Sequence, residues 1–265
     1  KFLLDISNMK NIISAENPLY VLVRLLGIPT DYIRISINID EYEFDPNQIP
    51  QKTDTKNNFC ADYNFVDENG TITIPKGEYF ISSSLKVPFD KKLIVHPGTS
   101  LIFDDNCTLV SGNQIIMNGT MEYPIHLTAK NKSWGGLLLN NSASKSSFKN
   151  VRFSKVNGVG LGPNPKGIIK NGWCMTGGVT VHKSEVEFIN CEFSNFGTED
   201  ALNIISSRFS LQRCNFNNVF SDAFDGDFVD GNVSSCTFKD VGGDGVDLSC
   251  SQVSIFDSSF IRIHD

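Results

Sequence analysis

Long apolar runs are missing from this chain. No stretch approaches the ~18–20 apolar residues that a membrane-spanning helix needs. Basic charge is also short: 23 Lys and Arg stand against 30 Asp and Glu, a net charge of −7. That balance argues against a nucleic-acid or anionic-membrane partner and leaves cations and neutral polysaccharides open. Histidine is scarce, with four scattered copies at 96, 126, 182 and 264. The seven cysteines (60, 107, 174, 191, 214, 236 and 250) include no Cys-x-x-Cys pair, so a zinc site is not expected. The glycines have neither GxGxxG nor Walker spacing, which removes support for a phosphate cradle.

What is present is repetition. Asp200-Ala201-Leu202-Asn203, Asp222-Ala223-Phe224-Asp225 and Asp244-Gly245-Val246-Asp247 follow one another at a spacing of 22 residues. Segments ending in Phe153, Phe193, Phe216, Phe238 and Phe260 repeat too, with gaps of 40, 23, 22 and 22 residues. The first gap reads as one coil plus an insertion. A fixed period in the low twenties marks a solenoid, in which each coil buries its apolar face only against its neighbours. Within a coil, apolar positions alternate as in a strand: Val246 and Leu248 share one face, Asp247 and Ser249 the other. No repeat has room for a crossover helix. The reading is all-β, a parallel β-helix with coils of about 22 residues.

These Asn- and Gly-punctuated coils, with stacked Phe, Val, Ile and Cys, resemble the right-handed parallel β-helix of pectin-lyase-like proteins over residues 70–265. Leu93 to Phe103, Asn118-Gly119-Thr120 and Trp134-Gly135-Gly136 resemble the early coils of bacterial surface β-helices. That resemblance implies a secreted or cell-surface setting, although stacked free thiols fit a reducing compartment equally well. Cys191, Cys214 and Cys236 occupy equivalent inward positions, as buried thiols or as an inter-coil disulfide. Trp134 is either a packed cap over a coil or a sugar-stacking platform.

Residues 1–60 read differently, as an N-terminal α/β segment and linker before a β-helix over 61–265. Residues 20–27 suit an apolar helix stopped by Gly27 and Pro29; residues 32–39 alternate as a strand. Residues 19–44 resemble a piece of the spore-coat-H-like (kinase-like) family, without its phosphate-binding loop or metal-binding motif. A start at Lys1 reads as a mature or trimmed fragment, and further coils are expected beyond Asp265.

The aspartates carry the functional expectation. Asn203, Asp225, Asp227, Asp247 and Ser249 should face outward, with Asp225 stacked on Asp247 at ~4.8 Å. Asp200, Asp222 and Asp244 should form a second column at the turns, as turn caps or as ligands. At an effective dielectric near 20, two carboxylates at ~5 Å repel by about 3 kcal/mol. Relief comes from a bound cation, a shared proton or hydrogen-bond donors. Asp225, Asp227 and Asp247 are therefore the candidate catalytic and metal-binding residues, with calcium as the candidate ion. Asn203, Asp222, Asp244 and Trp173 are candidate ligand contacts. Trp173 belongs to the glycine-rich insertion between Val156 and Val179, expected as a wall beside the aspartates.

Three functions compete: a surface module binding a glycan or protein partner through the Asp-rich face, a polysaccharide lyase or glycoside hydrolase, and a structural spacer. Polygalacturonase-like enzymes pair their aspartates with Gly-His-Gly and Arg-Ile-Lys. Here Asp225-Gly226-Asp227 and Gly243-Asp244-Gly245 are similar to the aspartate motifs. Gly-His-Gly is absent, Arg262-Ile263-His264 lacks the lysine, and the Asp-Pro-His of epimerase-like β-helices is absent too. The binding module is the preferred reading.

Overall fold

The computed structural model describes residues 20–23, 33–36, 63–158, 168–170 and 173–264. The chain forms two compact units, Lys1–Thr53 and Asp54–Asp265. In the first, Tyr20–Val23 pairs antiparallel with Ile33–Ser36, Tyr20 opposite Ser36. This corrects the helix expected over 20–27. A short apolar run does not distinguish helix from strand, and Tyr-Val-Leu-Val is rich in the aromatic and β-branched residues that suit a pleated sheet. All described regular elements are strands, so the helical part of the expected α/β segment is not observed.

The second unit is a parallel β-helix of about eight coils built on three sheets of nine, eight and seven strands. The one antiparallel member is Val66–Glu68, paired with Thr71–Ile74 at the start. The sequence period reappears as register. Phe153, Phe193, Phe216, Phe238 and Phe260 are successive partners in the second sheet. Phe153 pairs directly with Phe193, so the 40-residue gap is one coil. Its extra residues leave at the corner between the second and third sheets and include an antiparallel hairpin, Ile168–Lys170 with Trp173–Met175.

Burial explains the stack. Phe153, Phe193, Phe216 and Phe238 have no exposed surface. Ring centroids lie 5.2, 4.5, 4.9 and 4.8 Å apart from Phe153 up to Phe260. Each buried ring contributes about 1.5–3 kcal/mol of transfer energy plus stacking. Trp134 is likewise fully buried, 4.3 Å from the Phe103 ring, and its Nε1 donates to Ser154 O at 2.9 Å. It is a core residue and presents no surface to a sugar.

Corners are made by left-handed residues. Asn150, Asn190, Arg213, Ser235 and Asp257 turn the chain from the first sheet to the second. Asn141, Lys183, Ser206, Phe228 and Cys250 turn it from the third to the first, with φ of 47° to 61°. Inward residues beside these corners hold the coils together. Ser184 Oγ accepts from Ser142 N at 2.9 Å, and Ser207 Oγ from Ser184 N at 3.0 Å. Cys214 N donates to Cys236 Sγ at 3.4 Å, and Cys236 N to Ser258 Oγ at 3.2 Å. Cys191, Cys214 and Cys236 are thus buried free thiols, and burial raises the pKa of Cys214. Among the described residues, no helix is long and apolar enough to cross a membrane.

Candidate functional site: the acidic face of the third sheet

The site is built by alternation along neighbouring strands of the third sheet. In Asp222–Asp227 the side chain of Phe224 and the backbone of Gly226 are buried, while Asp222, Asp225 and Asp227 are part-exposed. Registration stacks Thr180 on Asn203, Asn203 on Asp225, and Asp225 on Asp247. Asp227 stacks on Ser249, and Asp200 on Asp222.

The deepest part is a carboxyl–amide–carboxyl bridge. Asp200 and Asn203 are 2% and 3% exposed. Asn203 Nδ2 donates to Asp225 Oδ2 at 2.7 Å and to Asp200 Oδ2 at 3.0 Å. Thr176 Oγ1 adds a bond to the same Asp200 oxygen at 2.7 Å. Both amide hydrogens of Asn203 are therefore used, yet its Oδ1 is buried without a partner. A buried unpaired carbonyl oxygen costs about 1–3 kcal/mol. Gly177 makes room for this residue: a Cβ there would lie 2.6 Å from Asn203 Cβ.

Burial and crowding raise the proton affinity of both acids. Burial raises Asp200 to about 6 despite the bonds from Thr176 and Asn203. Asp225 rises to about 8, first through burial, then through the charges of Asp200, Asp227, Asp247 and Asp222. At neutral pH Asp225 is largely a neutral carboxylic acid. Its Oδ2 accepts from Asn203.

The second column divides by role. Asp222 caps the next turn, its Oδ1 accepting from Asp244 N at 2.7 Å. Asp200 is bound by the side chains of Thr176 and Asn203, and burial, invisible in the motif, sets it apart from Asp222. Asp222, Asp244 and Asp247 bring carboxylate oxygens within 4.8 Å of one another. Among the described residues these three carboxylates form the clustered set, while Asp225 accepts from Asn203. Six or more oxygens suit calcium, and three carboxylates supply the charged part of such a set. Trp173 heads the strand Trp173–Met175, and its side chain lies outside the described residues. His182, also on the outer face, meets Asn140 Oδ1 through Nδ1 at 2.8 Å.

Sequence reading missed Thr176 and Gly177. The Gly177-Gly178 pair closing the insertion was the available signal, since it marks a close approach of backbones.

Residues 135–264 match the family model for the right handed beta helix region. The matched stretch contains every aspartate of the acidic face. No curated protein and no solved structure matches the chain. The match concerns the fold; the chemistry rests on the residues just described.

Proposed function

We propose that the outer face of the third sheet, centred on Asn203 and Asp225, binds a neutral polysaccharide as part of a secreted or surface-displayed β-helix. One observation carries this reading. Part-exposed Asp225, pushed up to about 8 by burial and the neighbouring carboxylates, is stacked on Asn203 and held by its amide on a face lined with further polar side chains. A sugar hydroxyl can accept from the Asp225 carboxyl, which Asn203 Nδ2 holds in place at 2.7 Å. The surrounding carboxylates Asp222, Asp227, Asp244 and Asp247 repel polyuronates, which favours a neutral chain. The three-sheet solenoid supplies an extended face suited to a linear polymer.

Asp225 also favours a second reading, glycoside cleavage. Asp225, pushed up to about 8, is stacked on the exposed carboxyl of Asp247, and a pair of neighbouring carboxyls is what a general acid and its carboxylate partner require. Calcium on Asp222, Asp244 and Asp247 would invert the charge preference and admit uronates.

The test is a panel of neutral and uronate polysaccharides, with calcium and with chelator, scored for retention and for products. Retention of a neutral glycan that weakens at least tenfold in Asn203→Ala is the expected result. New reducing ends that vanish in Asp225→Asn would establish the hydrolase. Unsaturated product sensitive to chelator would establish a calcium-dependent lyase. Retention of no glycan would overturn the glycan reading.

A further inference from the structure

Next to the acidic face, at the corner from the third to the first sheet, the molecule has a polar recess of about 440 Å3. Its lining includes Lys183, Glu185, Ser206, Arg208, Phe228 and Asp230. The recess is shallow and open to solvent, so a ligand there would lie against the surface rather than be enclosed.

Phe228 is the unexpected residue. It fills a left-handed corner position, φ 54°, that other coils fill with Asn141, Lys183, Ser206 and Cys250. Asn accepts that conformation at low cost, whereas a bulky aromatic is an outlier there. Packing does not call for the ring, because Phe228 is 61% exposed. An uncovered aromatic in a disfavoured backbone state, beside polar groups, suits a stacking platform.

The polar groups around it are available. Arg208 meets Glu185 Oε2 at 2.7 Å through one nitrogen, and its side chain is 74% exposed. Neither Lys183 nor Asp230 has an ion-pair partner among the described residues. Arg208 and Asp230 are neighbours in register on adjacent strands. Two cations and two anions leave the recess without net charge.

We propose that this recess binds one pyranose ring of a neutral saccharide, stacked on Phe228. Its hydroxyls accept from Lys183 and Arg208 and donate to Asp230. Phe228 directly follows Asp227, so a chain lying on the acidic face reaches the recess with a neighbouring sugar. In its ligand class the inference rests on the glycan reading; in its residues it is separate.

The experiment is a titration of the full chain with cellohexaose, mannohexaose and N-acetylchitohexaose, followed through backbone amide resonances. With at least one probe, the amides of Ser206, Arg208, Phe228 and Asp230 should move. Phe228→Asn keeps the turn, as Asn141 does in its own coil, so the melting temperature should not fall. Affinity read at those amides should drop at least tenfold. Unchanged affinity in Phe228→Asn, or corner amides that respond to none of the three probes, overturns the proposal. A corner that responds while Asn203 and Asp225 stay still upholds the recess and counts against the acidic face. The reverse pattern sinks the recess alone.

Discussion

Asn203 donates to Asp225 across one coil at 2.7 Å. Through the same nitrogen it reaches Asp200 at 3.0 Å, so one neutral amide ties together two acids that would otherwise repel. Asn203→Ala should destabilise the fold by about 1–3 kcal/mol in urea unfolding at pH 8. The loss should be smaller at pH 4, where both acids approach neutrality without the amide. Equal losses at the two pH values would contradict the bridging role.

Stability should fall as pH rises. Both acids have folded pKa values above the ordinary aspartate value of 3.8, about 6 for Asp200 and about 8 for Asp225. Folding therefore favours their protonated forms. The stability they confer is complete below pH ~4 and is lost as pH climbs through ~6 and then ~8. For Asp200 the loss is on the order of 3 kcal/mol. Asp200→Asn should flatten the lower part of this decline and Asp225→Asn the upper part, in urea midpoints taken from pH 4 to 9. A stability curve that rises across this window would refute the assignment.

The phenylalanine stack gives an internal comparison. Phe216 is fully buried between Phe193 and Phe238, whereas Phe260, two coils on, is 47% exposed. Phe216→Ala should cost about 3–5 kcal/mol, and Phe260→Ala clearly less. Equal costs in chemical denaturation would mean that burial within the stack does not set the energetics.

Calcium offers a fourth test. If Asp222, Asp244 and Asp247 act as ligands, millimolar calcium should raise the melting temperature of the wild type. Asp244→Asn with Asp247→Asn should abolish that rise, and Asp225→Asn should leave most of it. No calcium-dependent rise in the wild type would remove the ion from the account.

Much of the architecture was legible because a solenoid writes its geometry as a period. The 22-residue spacing of Asp200, Asp222 and Asp244 and the run of closing phenylalanines gave coil length, stacking order and the place of the insertion. The first strand, Tyr20–Val23, was misread because four apolar residues carry no helical or extended period of their own. Outward placement of Asp225 and Asp227 followed from alternation alone. Depth did not: Asp200 and Asp222 occupy the same repeat position, yet Asp200 is buried beneath Thr176 while Asp222 caps a turn. The difference comes from the insertion, whose return through Thr176 and Gly177 breaks the repeat. The Phe228 recess was hidden for a similar reason, since any residue tolerating a left-handed turn satisfies the period at that corner.

The most direct measurement is a carboxyl-carbon NMR titration of Asp225, with Asp225→Asn to assign the signal. A midpoint near 8 is the expected result. A midpoint near 4 would mean that Asp225 is an ordinary solvated carboxylate, and both the hydroxyl-binding site and the proton donor would fall with it.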